Sequence, residues 1–242
     1  MINPSGDWTN YLPRNVDTQN SDRADSLACG SFSAVHIAES LMMFQYGQPW
    51  EFSERALAKL SGTTHQGNYL SNIINAINNY GLMYDSYWPV SKTFTWEEFY
   101  ERIPNSIVSK CLRFKATLTP LSKNQVKEAL KTAPVWTIIP TSGGTNHIVE
   151  QINETQYFDS YQILIKNFQA NFQPKSYWQL IIKPIIMTNA KLVNNKGEWG
   201  FFIPATQEST LIDKALNFGY PLPTKVNGTQ VDWENTKADI TV

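Results

Sequence analysis

The stretch SLACGSFSAV, Ser26 to Val35, puts one of the chain's two cysteines at the start of an apolar, helically spaced segment. Phe32, Val35, Ile37, Leu41 and Phe44 follow Cys29 at mostly three- or four-residue intervals. That spacing predicts a buried helix over about 29–46, with Gly47 as its stop. Cys29 then has two readings. A lone cysteine is most often a small core residue. At a helix N-terminus, however, unpaired N–H groups and the positive end of the helix dipole favour a reactive thiolate.

Outward from this helix, the chain divides by texture. SERALAKL reads as a short helix capped by Ser53, and a further helix follows Gly67, with Leu70, Ile73, Ile74, Ile77 and Tyr80 on one face and Gly81 at its end. TWEEFYERI and SKNQVKEALKTA are helical in pattern, the second with Ser122 and Gln125 placed for a capping box. Near Pro134 the texture changes to short β-branched and aromatic runs: PVWTIIP, HIVEQI, YQILIKN and SYWQLIIKPI. NSIVSK, before Cys111, also reads as a strand. Helices first and strands second predict an α+β fold with two segregated lobes. The expected organisation is one domain over 1–186, with a helical lobe at about 20–115 and an antiparallel β-rich lobe at about 116–186 joined by an N-terminal strand segment. Residues 187–242 form a small appendage, in which TQESTLIDKALNFG reads as a helix.

Composition narrows the function classes. Among 242 residues, 20 Lys and Arg against 21 Asp and Glu leave a formal charge of −1, which gives no electrostatic case for nucleic acid or an anionic membrane. Apolar runs such as YWQLII are far shorter than a bilayer span, and MINPSGDWTN lacks the basic-then-apolar pattern of a secretory signal. Two cysteines cannot make a disulfide framework, and three histidines without zinc spacing argue against a metal site. The expectation is a cytoplasmic or virion-associated protein with no cofactor.

A cysteine nucleophile needs a base, and the base needs a group to hold its other ring nitrogen. His147 opens a predicted strand after TSGGTN, and Asn167 closes YQILIK. The order Cys29, His147, Asn167 is that of the Cys-His-Asn version of the catalytic triad. Here the sequence resembles the papain-like cysteine peptidases of the C1 type, in ordered segments from about Asp7 to Pro184. VDTQ at Val16–Gln19 is similar to the family's VKNQ, CGSFSAV to CWAFSAV, HQGNYLSNIINAINNYGL to its NGGY loop and following helix, NHIVEQI to DHAVAAVGY, and YQILIKN to YILIKNSWG. The resemblance implies a papain-like two-lobed fold and a cysteine endopeptidase without metal or organic cofactor. Cys29 would be the nucleophile, His147 its base, and Asn167 the group orienting the imidazole. Gln19 and the Cys29 N–H would form the oxyanion hole. Gln66, Gly67, Asn68 and Tyr69 would line the cleft and pair with an extended polypeptide substrate. Because the matching region starts within ten residues of Met1, the chain resembles short prokaryotic or viral members without a pro-segment.

The departures are specific. Counted without a gap from FSAV, Cys29 takes the nucleophile's place. Counted from CGS, it matches an earlier disulfide cysteine and the nucleophile is deleted. Helix geometry favours the first alignment, since removing three residues inside the helix would rotate everything beyond by about 300° at 3.6 residues per turn. Gln19 lies ten residues before Cys29, so the intervening insertion must loop out. Gly30 stands at a family Trp, Gln169 at the Trp that shields the triad Asn, and Asn68 at a cleft Gly, where its side chain could obstruct a peptide. Two alternatives to the endopeptidase follow. One is a catalytically impaired structural or interaction protein, part of a virus particle or other assembly, docking through residues 187–242. The other is a cell-wall amidase or peptidase with a related core. His65 is a candidate substrate contact, and Cys111 reads as a core or silent thiol.

Overall fold

The structure, a computed structural model, describes residues 2–141, 143–169 and 173–184 with their side chains. It also describes the backbone of strands 191–195, 198–202, 225–226 and 229–230. Helix α1 (Cys29–Tyr46) forms over the predicted span, and Gly47 ends it with φ +69°, a left-handed conformation that costs glycine nothing. Every residue from Gly30 to Ser40 is buried, so the first three turns of α1 are enclosed on all sides. It packs against α2 (Glu54–Leu60), α3 (Leu70–Asn79) and three strands of the β lobe. Small residues at Gly30, Ser31, Ser33, Ala34, Ala38 and Ser40 allow that close approach. The Ser53 side chain accepts the Ala56 N–H and caps α2 as expected. Helix α4 (Trp96–Phe99) begins with a Thr95–Glu98 capping box, and α5 spans Asn105–Val108. This last element corrects the strand expected at NSIVSK. Cys111, just beyond it, is a buried core thiol pushed up to about 11 by burial.

The β lobe is a six-stranded sheet in the order β1-β6-β2-β3-β4-β5, antiparallel at every pairing. Its strands are β1 (Phe114–Leu121), β2 (Val135–Pro140), β3 (Asn146–Gln151), β4 (Gln156–Asp159), β5 (Leu164–Asn167) and β6 (Ser176–Pro184). Helix α6 (Val126–Leu130) and the 3-10 turn before it carry the expected Ser122–Gln125 capping box. Strand β1 tolerates Pro120 because it lies at an edge of the sheet. The central strand β2 sends Trp136, fully buried, into a core shared with Ile37, Ile73, Ile77, Phe114 and Leu180.

The N-terminal segment joins the β lobe but not as the expected strand: among described residues before α1 the β pairing is limited to an isolated Asn20–Asp25 bridge. It is strapped down instead by the fully buried Trp8, whose indole N–H donates to the Leu130 carbonyl (2.6 Å) and whose backbone N–H donates to Ile152 (2.9 Å). Of the appendage, two antiparallel ribbons are described, β7 (Lys191–Asn195) with β8 (Glu198–Phe202) and β9 (Lys225–Val226) with β10 (Thr229–Gln230). The helix expected over 206–219 lies outside the described residues.

Enclosing α1 also buries ionisable groups. His36 Nε2 meets Glu54 Oε1 at 3.2 Å, Ser40 Oγ donates to Glu150 Oε1 at 3.1 Å, and the Phe52 N–H donates to Glu39 Oε1 at 2.6 Å. Burial drives His36 down to about 4 and Glu54 up to about 8. The pair is therefore a neutral hydrogen bond near pH 7, which avoids the cost of desolvating two charges.

Candidate active site

Between the lobes runs a cleft of about 950 Å³, with Cys29 on one wall and His147 on the other. The approach to Cys29 is built by the residues just before it. Leu27 adopts φ +53°, a region that costs a non-glycine residue of order 1–3 kcal/mol. The conformation is held by the Leu27 N–H donating to Asp25 Oδ1 (2.8 Å) and by the Tyr100 hydroxyl donating to the Ser26 carbonyl (2.6 Å). The bend aims the first turn of α1 at the cleft. Ala28, its N-cap, offers no side-chain cap, so the leading N–H groups of the helix are not capped from within.

His147 sits at the start of β3, only 13 % exposed, and its ring bridges two partners. Nε2 bonds Asp159 Oδ1 at 2.8 Å, which leaves Nδ1 as the ring nitrogen not engaged by the carboxylate. Burial alone would lower the histidine. The hydrogen bonds to Asp159 and Cys29 and their charges outweigh it and raise His147 to about 9. Burial likewise works to raise Asp159, but His147, Lys166 and the Tyr161 N–H hold its carboxyl well below the usual carboxylate range. Lys166 Nζ donates to Asp159 Oδ2 at 2.6 Å and the Tyr161 N–H to Oδ1 at 2.9 Å, so both carboxylate oxygens are fixed. Tyr161 also stands edge-on to the imidazole, ring centres 6.3 Å apart. It supplies the aromatic cover that the exposed Gln169 does not.

This arrangement corrects the expectation for Asn167. That residue ends β5, paired with Gln156 and exposed, and the group on the histidine is Asp159. Asp159 was missed because β4 was missed. QYFD is only four residues long, and its aspartate reads as turn punctuation. The usable signal was that β4 lies beside β3 in one antiparallel meander: the Glu150–Phe158 and Gln151–Tyr157 pairs bring Asp159 level with Val149, two residues from His147 along the same face.

Gln19 lies in the cleft wall with Cys29, buried to 3 %. The insertion loops out as required: the Ser26 N–H donates to the Gln19 carbonyl at 2.9 Å, closing residues 20–25 into a compact excursion. Gln66, Gly67, Asn68 and Tyr69 all line the cleft beside His65, which stacks on Trp96 with ring centres 3.8 Å apart. The Asn68 amide is engaged within its own lobe. Nδ2 donates to the Ser61 carbonyl and hydroxyl and to Thr63, while Oδ1 accepts the Tyr69 N–H and Asn72.

Gly30 has a steric reason. A Cβ there would stand 2.7 Å from Ile73 Cδ1 and 3.1 Å from Ile148 Cδ1, with Trp136 at 3.7 Å behind them. Three core side chains from α3, β3 and β2 occupy the space beside the nucleophile position. Gly30→Ala is expected to destabilise the fold by about 1–3 kcal/mol through overpacking, read as a lower denaturation midpoint. An unchanged midpoint would show that Ile73 can swing aside freely.

No family model matches the sequence, and the search of curated proteins found no match. Comparison of structures is informative. The chain is similar to the Amb a 11 cysteine protease, a major ragweed pollen allergen, in its proform (16 % identity, 74 % of this chain and 65 % of that one, TM-score 0.54). It is also similar to recombinant stem bromelain precursor (14 % identity, 75 % and 70 %, TM-score 0.52) and to the clostridial cysteine protease Cwp84 after propeptide cleavage (11 % identity, 76 % and 58 %, TM-score 0.56). The chain thus spans under two-thirds of the first and third of these proteins. The fold is that of the papain-like cysteine proteases, an α+β architecture. No described helix is long and apolar enough to cross a membrane.

Proposed function

We propose that this chain is a cysteine peptidase acting through Cys29, His147 and Asp159. The observation that carries the reading is the relay itself: a half-buried thiol at the first residue of a buried helix, facing across the cleft an imidazole whose Nε2 is fixed by a carboxylate at 2.8 Å. A protonated imidazole beside a sulfur is the setting that stabilises a thiolate, and His147 at about 9 stays protonated near neutrality. The thiolate attacks a peptide carbonyl and forms the C–S bond. The resulting oxyanion is met by the Cys29 N–H and the Gln19 side chain. Collapse expels the amine, which takes its proton from His147. The imidazole then draws a proton from water, whose oxygen displaces the thiolate and releases the acid. The backbone of Gln66–Tyr69 pairs with an extended polypeptide substrate in the manner of an added strand.

Iodoacetamide or an epoxysuccinyl probe tests the reading. Labelling near neutral pH is expected to run faster than with a free thiol and to vanish in Cys29→Ala, although Cys111 remains. Labelling no faster than a free thiol would overturn the proposal.

A further inference from the structure

We infer that Ser160 is a positioning residue that locks the Gln19 side chain in the one orientation in which it can serve as the oxyanion donor. This deepens the peptidase reading above and rests on it. Both residues are buried, Ser160 to 2 % and Gln19 to 3 %, and two hydrogen bonds join them. Ser160 Oγ donates to Gln19 Oε1 at 2.9 Å, and the Gln19 backbone N–H donates to the Ser160 carbonyl at 3.3 Å. On the other side of the amide, Nε2 donates to Asp25 Oδ1 at 3.3 Å.

Asp25 selects the flip of the amide, and Ser160 then holds its oxygen in place. A carboxylate oxygen accepts and cannot donate, so Asp25 requires the amide nitrogen to face it. The hydroxyl of Ser160 must then donate to Oε1. Turning the amide over would place Oε1 against Asp25 Oδ1 and lose that bond. In the selected orientation one N–H of Nε2 goes to Asp25, and the second is left for the cleft that Gln19 lines with Cys29.

The need for such a lock follows from the sequence. Ten residues separate Gln19 from Cys29, so the helix register alone does not place the amide. Ser160 belongs to the β lobe, to which the N-terminal segment carrying Gln19 is strapped, and directly follows Asp159. Thr18 adds a parallel tie by donating to the Tyr161 carbonyl at 3.3 Å. One turn, Asp159–Tyr161, therefore fixes the imidazole through its first residue and the oxyanion donor through its second.

A double-mutant cycle with Ser160→Ala and Gln19→Ala, read by peptide hydrolysis and by iodoacetamide alkylation, tests this. Alkylation is a displacement at a saturated carbon and forms no carbonyl oxyanion, so it reports Cys29 and His147 without the hole. Ser160→Ala is expected to lower kcat by about 10–100-fold with little change in KM. Its alkylation rate and pH profile are expected to match wild type, and in the Gln19→Ala background it should have no further effect. The Gln19 side-chain NH2 should give one ordered pair of NMR signals in wild type and lose that order in Ser160→Ala. If the alanine variant does not fold, Ser160→Cys keeps the volume with a weak donor and repeats the test. Unchanged hydrolysis, a full additional loss on top of Gln19→Ala, or an alkylation profile that shifts together with hydrolysis would overturn the inference. Those outcomes, with wild type still labelled and active, leave the peptidase reading standing. A wild type that neither labels nor cleaves removes both.

Discussion

Asp159→Ala is expected to lower kcat/KM for a peptide substrate by about 10²–10⁴-fold, whereas Asn167→Ala stays close to wild type. The first substitution frees His147 Nε2 and removes the carboxylate that holds the histidine at about 9. Burial, which alone pushes the imidazole down, is then opposed by Cys29 alone. The alkaline limb of Cys29 alkylation should accordingly move to lower pH, because the imidazole loses its proton earlier. Asp159→Asn separates the two effects: it keeps a hydrogen-bonding side chain but removes the charge, so the limb shifts even where orientation survives. The second substitution touches an exposed residue at the end of β5. A large loss in Asn167→Ala with a mild one in Asp159→Ala would reverse the assignment.

Stability should fall as pH rises from about 5 to 8, the opposite of the usual behaviour of acidic side chains. Burial, followed by repulsion from neighbouring carboxylates, raises Asp17 to about 7, and burial raises Glu54 to about 8 and Glu150 to about 7. Asp17, Glu54 and Asp85 place carboxylate oxygens within 4.8 Å of one another, with Glu51 adding to the repulsion, and Glu39 is raised by burial as well. A carboxyl raised in the folded state contributes stability that is whole below its unfolded value and is lost as pH rises through its folded value. His147 has the same sign, with its contribution lost through about 9. His36, depressed to about 4, has the opposite sign: its contribution is present above its unfolded value and lost as pH falls towards 4. One histidine does not offset three or more carboxyls. Each carboxyl that must lose its proton contributes a slope of about 1.4 kcal/mol per pH unit. Denaturation midpoints at pH 5, 6, 7 and 8 measure the fall, and Glu150→Gln should flatten it. Midpoints that hold constant or rise across this range would show that the network ionises without penalty.

The sequence by itself determined the local elements and the two ends of the relay. The apolar spacing after Cys29 gave α1 its span, Ser53 and Gly47 marked helix ends, and β-branched runs marked β2, β3 and β6. These are properties of neighbouring residues, so they are legible in order along the chain. Cys29 and His147 were legible because a helix start and a strand start are local features too. What only the tertiary structure decided was the third partner. Asn167 and Asp159 are both polar residues at strand ends, and which one meets His147 depends on the lateral order of the sheet. Strand β4 lies between β3 and β5, and that places Asp159, not Asn167, beside the imidazole. The same holds for Gly30, whose missing side chain is explained by Ile73, Ile148 and Trp136, three residues far from it in sequence and from three different elements. Contacts between distant segments depend on packing and register, and no local pattern of residues encodes them.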